Sequence, residues 1–364
     1  MRHRFLALCP AARNVRVVLS SFAALALLLL ITACDDGGQS ESPAGDRPLV
    51  GLFLFNAKDT YIGAVSAALR PRLAATVELN VQDAQGDPIL QLNQVDGFLS
   101  RQPKLLLVNA VDPKNAAAFV ARAKKATIPI IFFNREPDLD VLRAYPKSCF
   151  VGTNAADAGR MQGELIAALW RAHPEYDRNR DGNCQYALFQ GEPDNPEAQA
   201  RSEYSVREAR EKGVSMSQVG ANLVCNWDSG LAERQMAALL ASGASKEIEM
   251  VISNNDAMAM GVIAALNQGG YNLGEKSGPF IPVIGVDATE DAARAISDGK
   301  MSATVKQDGE AMAEAIVAVA ENALAGKDFL AGTKYAWAAD GISIRIPYSP
   351  FGEKESQSPR AKGH

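Results

Sequence analysis

The chain has 364 residues, with 37 Lys+Arg against 42 Asp+Glu, 47% hydrophobic residues and five cysteines. That length suggests about two domains of ordinary size, each able to bury a core without disulfide staples. Residues 1–33 hold Arg2, Arg4, Arg13 and Arg16 and no acid, so the rest of the chain has 33 basic and 42 acidic residues, a net charge of −9. An acidic chain without a Lys/Arg cluster is poorly suited to neutralising phosphates, which argues against a nucleic-acid partner. The three histidines, His3, His173 and His364, do not supply a zinc or His-based catalytic cluster.

Phe22 to Ile31 is an uninterrupted apolar run of ten behind the arginines, too short to span a bilayer as a mature helix. It reads as a signal-peptide core. The run ends in Ile31-Thr32-Ala33-Cys34, which resembles the lipobox of bacterial lipoproteins; the alternative is a plain secretory signal with a chance cysteine. On the first reading residues 1–33 are removed and Cys34 receives the lipid. The Gly/Ser-rich polar stretch 34–47 is then a flexible tether that holds a folded body, outside the cytoplasm, against a bacterial membrane. Cys9 leaves with the leader, so the body keeps Cys149, Cys184 and Cys225. Each lies in or beside an apolar run, where a buried thiol is expected, and the odd count means at least one free thiol or an intermolecular bond.

From residue 48 onward short apolar runs alternate with amphipathic segments. The runs are Val50–Phe55, Val77–Val81, Leu105–Val108, Ile128–Phe133, Cys149–Val151, Tyr186–Phe189, Leu223–Val224, Met250–Ile252, Ile281–Val286 and Met301–Val305. Several are apolar throughout, as expected of parallel strands covered on both faces. The segments Lys114–Ala126, Ala155–Arg171, Glu197–Lys212, Leu231–Ala241, Ala257–Gln268 and Glu310–Ala325 are long enough for helices of three turns or more. The alternation predicts doubly wound α/β domains.

Many runs end in a planar polar residue: Asn56, Asn109, Asn134, Asn254-Asn255-Asp256, Asp287 and Gln307-Asp308. The carboxyl ends of strands in an open parallel sheet face the ligand crevice, so these residues either line a cleft for an uncharged polyol or cap the helices that follow. The stretch from Asp177 to Gln185 places oxygen side chains at relative positions 1, 3, 5 and 9, namely Asp177, Asn179, Asp181 and Gln185, with Gly182 at position 6. Position 7, Asn183, would contribute its backbone carbonyl, as in the first three quarters of an EF-hand loop. Position 12 is Leu188 in place of the bidentate glutamate, so the loop is either a calcium site completed from elsewhere or a polar turn with Gly182 at positive φ.

From Val50 to about Tyr348 the chain resembles the bacterial galactose/glucose-binding proteins, the sugar receptors of ABC transporters. The resemblance rests on Ile128-Pro129-Ile130-Ile131-Phe132-Phe133-Asn134-Arg135-Glu136-Pro137, the Asp177–Gln185 loop, Gly191-Glu192-Pro193, Ser253-Asn254-Asn255-Asp256-Ala257-Met258-Ala259-Met260-Gly261 and Gly285-Val286-Asp287-Ala288, in the family's order. It implies a type I periplasmic binding protein: two doubly wound parallel-sheet lobes joined by three hinge crossings. The lobes are expected to comprise 48–152 with 308–345, and 153–307 with 346–354, followed by a disordered tail over 355–364. It implies a structural calcium ion, with the family's remote glutamate falling on Glu249.

Carried over residue by residue, the family's sugar contacts fall on Asp59, Tyr61, Asn134, Arg201, Trp227, Asn255 and Asp287. Tyr61 and Trp227 would sandwich a pyranose ring, whose C–H faces are apolar; the alternative for Trp227 is a core tryptophan. Asp59, Arg201 and Asp287 would make charge-assisted hydrogen bonds to hydroxyls. Three positions depart from the pattern. Asn195 and Glu197 stand where the family has His and Asp, and Gln307 stands where it has Asn, so the last two side chains each carry an extra methylene.

The expected function is therefore capture of a monosaccharide, glucose or galactose first, by a monomeric receptor that does no chemistry on it. Its closed shape would be what an ABC permease or a chemoreceptor recognises. A hydrolase would need a carboxylate pair at a defined separation, for which only Asp59 and Asp287 offer themselves. A lactose-repressor-type regulator would need a helix-turn-helix where the lipobox stands. A receptor for another sugar or a nucleoside, acting as a sensor subunit, would keep the aromatic sandwich and alter its polar partners, as the three departures do.

Overall fold

The computed structural model describes residues 47–274 and 278–352. The leader, Cys34, the tether up to residue 46 and the tail from residue 353 lie outside the described residues. The first part of the chain alternates β1 (Leu49–Leu54), α1 (Thr60–Ala74), β2 (Glu78–Asp83), α2 (Pro88–Leu99), β3 (Leu105–Val108), α3 (Ala116–Ala126), β4 (Ile130–Phe133), α4 (Leu139–Arg143) and β5 (Ser148–Gly152). The second continues with α5 (Ala155–Ala172), β6 (Asn183–Gln190), α6 (Pro196–Glu211), β7 (Ser215–Gln218), β8 (Leu223–Val224), α7 (Ser229–Ser242), β9 (Met250–Ser253), α8 (Asp256–Gln268), β10 (Val283–Asp287), α9 (Glu290–Ser297) and β11 (Ala303–Gln307). Then follow α10 (Gly309–Leu324), β12 (Ser343–Arg345) and β13 (Tyr348–Phe351).

Two sheets result, with strand orders β12-β5-β4-β3-β1-β2 and β13-β11-β10-β9-β6-β7, and β8 pairs with the end of β6. Every pairing is parallel except that of β13 with β11. The uniformly apolar runs follow from burial on both faces. In β1, Val50, Leu52 and Leu54 face α1 and α10, while Phe53 turns to Phe98 of α2 and Phe119 of α3. In β6, Ala187 and Phe189 pack toward α7 and α8, while Tyr186 and Leu188 pack toward α5 and α6.

The chain passes between the sheets three times: after Gly152 of β5, after Gln307 of β11 and between Arg345 of β12 and Tyr348 of β13. The crossings lie side by side. Ile346 N donates to Gly152 O at 2.7 Å, and Gln307 pairs with Tyr348 in the β11–β13 ladder. Because β12 joins the first sheet and α10 packs in the core beside α1, neither lobe is made from one continuous stretch.

Candidate functional site

The carboxyl ends of both sheets' inner strands surround a cavity between the lobes. The loop after β1 supplies Phe55 and Asp59, the first turn of α1 supplies Tyr61 and Ile62, and the end of β4 supplies Asn134 and Arg135. The second lobe supplies Asn195, Glu197 and Arg201 from the start of α6, with Trp227, Asn255, Asp287 and Gln307. All ten residues singled out from sequence for the sugar site line this cavity. Phe55, Ile62 and Arg135 line it too and were not singled out, although Phe55 ends an apolar run and Arg135 lies inside one of the matching blocks.

Capping and lining, posed as alternatives, coincide here. Asp59 caps α1 by accepting from Ile62 N at 2.8 Å, Asn195 caps α6 by accepting from Glu197 N at 2.8 Å, and Asn255 caps α8 by accepting from Met258 N at 3.0 Å. All three line the cavity, so three helix N-termini converge on it, with their outward-pointing N–H dipoles. Asn109, by contrast, is a buried brace. It accepts from Phe55 N at 3.3 Å and donates to Phe133 O at 3.2 Å, tying the β1 and β4 ends together.

The backbone is strained where the cavity is formed. Asn134 (φ 62°), Trp227 (φ 66°) and Asp287 (φ 128°) all have positive φ, followed after Asp287 by Ala288 (φ 55°). Non-glycine residues tolerate such angles only when their surroundings hold them. Behind Asp287, the fully buried Asp256 accepts from Thr289 N at 2.8 Å and from Thr304 Oγ1 at 2.6 Å, pinning the turn. Gly285 makes room for it, since a Cβ there would lie 2.2 Å from Asp256 Oδ1. Gly191 does the same for Trp227, whose ring would be 2.4 Å from an added Cβ.

Arg201 organises the charges. Nη1 donates to Asn254 O at 2.9 Å and lies 3.9 Å from Asp287 Oδ1, and Nη2 reaches Glu197 Oε2 at 3.3 Å, Gln307 Oε1 at 2.9 Å and the Tyr348 hydroxyl at 3.1 Å. Burial works against its charge, but Tyr348, Glu197 and Asp287 outweigh that and raise its pKa. Desolvation raises the carboxyl pKa of Asp59, Glu197 and Asp287, with Arg201 pulling each back. The longer Glu197 and Gln307 side chains thus both end on the same guanidinium. Asn195 is similarly engaged: its oxygen caps α6 and its amide donates to Glu192 Oε2 at 3.1 Å, leaving one N–H for the cavity.

Arg201 Nε, Gln307 Nε2 and Trp227 Nε1 are buried donors without a partner. Such groups are costly unless something polar meets them. Arg135 bridges the cavity mouth from the first lobe, stacked 3.9 Å from the Phe55 ring centroid and 3.0 Å from Glu192 Oε1 of the second.

The Asp177–Gln185 loop leads into β6, on the second lobe. The structure brings the buried Glu249 to it: Oε1 accepts from Arg178 N at 2.7 Å and Oε2 from Gln185 N at 3.3 Å. Asp177 accepts from Asp181 N and Gly182 N, Asn179 Oδ1 from Asp181 N, and Asp181 Oδ1 from Asn183 N. Asn183 itself turns its side chain to Ser215 and Ser217. Gln185 Oε1 is buried and unpartnered. Among the described residues, no three His, Cys, Asp or Glu side chains converge closely enough to hold a metal ion by themselves. Cys149, Cys184 and Cys225 are buried free thiols, their pKa values pushed up by desolvation.

Two parallel-sheet lobes, three crossings and a polar cavity between strand ends define a type I periplasmic binding protein. The chain belongs to the periplasmic binding protein family, whose domain profile matches residues 50–328. It is 33% identical over 314 residues to the D-galactose/methyl-galactoside binding periplasmic protein MglB of Haemophilus influenzae, covering 86% of this chain and 91% of that protein. It is 25% identical over 252 residues to the ribose import binding protein RbsB of the same organism, covering 69% and 76%. An ABC transporter solute binding protein from Bacillus halodurans C-125 with bound myo-inositol matches with a TM-score of 0.71 and 27% identity, over 88% of this chain and 100% of that one. No helix among the described residues is long and apolar enough to cross a membrane.

Proposed function

We propose that the protein is an extracytoplasmic lipoprotein, anchored through Cys34, that captures a neutral monosaccharide between its lobes and presents it to an ABC permease and a chemoreceptor. Glucose or galactose is the leading ligand. The observation that carries this reading is the balance of the cavity: the carboxylates of Asp59, Glu197 and Asp287 can only accept while ionised, and Arg201 Nε, Gln307 Nε2 and Trp227 Nε1 can only donate. A hydroxyl does both, so one polyol meets both sets without bringing a charge. Tyr61, Phe55 and Trp227 supply aromatic surface for the ring's C–H faces. Because the lining comes from both lobes, a ligand gains all its contacts only in the closed form and shifts the population toward it.

The other leading ligand class is a different polyol, and the internal hydrogen bonds of Asn195, Glu197 and Gln307 favour it. The relatives' named ligands include galactose, ribose and myo-inositol. Calorimetry against a panel of hexoses, pentoses and cyclitols decides between them, and no heat from any member sinks the capture reading. Trp227→Ala should weaken binding by roughly 10- to 100-fold and remove the ligand-dependent tryptophan signal.

In the Asp177 loop the donor set is all oxygen and the unpartnered Gln185 Oε1 fits a hard cation. Asp177, Asn179, Asp181, Gln185, Glu249 and the Asn183 carbonyl would hold calcium there. The ion would stiffen the second lobe.

A further inference from the structure

Arg201 touches more than the cavity. Through Nη2 it donates to Gln307 Oε1, where the second crossing begins, and to the Tyr348 hydroxyl, where the third ends. That hydroxyl shares a hydrogen bond of 2.8 Å with Thr153 Oγ1, in the first crossing. All four residues are buried. One guanidinium therefore touches two of the crossings directly and the first through the Tyr348 hydroxyl, and it enters from α6, outside the hinge. From the other lobe, Arg345 Nη1 donates to Thr153 O at 2.8 Å and pairs with Glu136, so Thr153 is held from both sides.

Tyr348 is not among the residues that line the cavity, and its hydroxyl is already held by Arg201 and Thr153. We propose that Tyr348 is a positioning residue that couples Arg201 to the hinge, its hydroxyl joining the guanidinium to Thr153 and so favouring the arrangement of the three crossings seen here, with or without ligand. The proposal rests on the capture reading for its ligand arm. A ligand that draws on Arg201 from the cavity side then stabilises the crossings on the other side, and closure is read at the hinge as well as at the lobe faces. Tyr348→Phe and Thr153→Val each remove one hydroxyl and little volume.

The test measures hexose affinity by calorimetry and the radius of gyration by small-angle X-ray scattering, with and without sugar, on the whole body from residue 34. Tyr348→Phe should weaken affinity about tenfold, as expected for the loss of a hydrogen bond to a charged group, and Thr153→Val, which loses only the bond between two neutral hydroxyls, should weaken it measurably but by less. Each should enlarge the ligand-free protein, and neither should alter the glucose-to-galactose preference. The double variant should be no weaker than Tyr348→Phe alone, because both substitutions cut one chain of bonds. Wild-type affinity with unchanged scattering, additive losses, or an altered sugar preference each overturn the proposal. Thr153→Val keeps the test open should Tyr348→Phe fail to fold. If the parent protein binds no hexose, the capture reading fails, while the ligand-free scattering of the two variants still decides the hinge role.

Discussion

The inter-lobe cavity and the Asp177–Gln185 loop are made from the same residue types, Asp, Asn, Gln and Glu, but they treat them in opposite ways. In the loop Asp177, Asn179 and Asp181 all accept from backbone N–H groups of the loop itself, and such contacts hold the exposed Asp181 carboxyl below its usual pKa, the Asn183 N–H foremost. In the cavity, desolvation raises Asp59, Glu197 and Asp287, and three buried donors have no partner at all. The loop's carboxylates are met by its own backbone, with Gln185 Oε1 the exception, while the residues lining the cavity keep three unpartnered donors. Composition alone does not separate these cases. What separates them is burial, because an exposed carboxylate keeps water as a partner and a buried one must find a protein or ligand group.

The sharpest way to break the comparison is Arg201→Met. It takes from the buried Glu197 and Asp287 the cation they pair with, and removing one partner of a buried ion pair costs about 3–5 kcal/mol. Sugar binding should fall below calorimetric detection and the melting temperature should drop. The matching change in the loop, Asp181→Asn, should leave sugar affinity where it was. An Arg201→Met protein that melts and binds like wild type would erase the difference between cavity and loop.

A second test uses pH. Asp59, Glu197, Asp256 and Asp287 all have raised carboxyl pKa values, with desolvation the largest cause in each. Such a group binds its proton more tightly folded than unfolded, so the native state holds more protons between the two values and stability falls as pH rises through that window. For Asp256, pushed up to about 7, the window opens near the ordinary aspartate value of about 4 and closes near neutrality. Denaturant titration of the ligand-free protein should show stability declining by up to a few kcal/mol across it. Asp256→Asn should flatten that decline while lowering stability at every pH, because Thr289 N or Thr304 Oγ1 loses an acceptor. In the loop Asp181 has the opposite sign, contributing stability that is present above its ordinary value and lost as pH falls.

Much of this was legible in the sequence, for identifiable reasons. The strands buried on both faces announced themselves as continuous apolar runs. The edge strand β7, Ser-Met-Ser-Gln, did not, because it is half exposed. Nor did β12 and β13, the short hinge strands, one of them carrying Pro350 on an edge. α2 hid because its buried stripe is narrow and includes Gln91, although Asp87 caps it and Pro88 opens it. The ten cavity residues were found through the family's pattern and the strand-end rule. What they do to one another was not. That Asn195 uses its side chain on a cap and on Glu192, and that Glu197 and Gln307 both end on Arg201, depends on side-chain direction. The positive φ at Asn134, Trp227 and Asp287 left no sign, since none is glycine.

The smallest expected effect concerns the loop and sharpens the comparison from the other side. The loop's backbone already satisfies most of its oxygens, so a cation there should add stability without being needed for the fold of the cavity. At calcium a hundred times its Kd, linkage gives about 2.7 kcal/mol, or roughly 5–10 °C in melting temperature. Chelation should remove that increment from the wild-type protein. Glu249→Gln should lower the melting temperature in calcium and abolish most of the response to chelator, because the neutral amide is a weaker ligand and puts an N–H donor against the amides of Arg178 or Gln185. Sugar affinity should not change in either case. A melting temperature indifferent to chelator removes calcium and leaves Glu249 as an acceptor that fastens the loop to the sheet. A sugar affinity that moves with calcium would mean instead that the loop and the cavity are coupled through the second lobe, and the two regions could no longer be treated as independent.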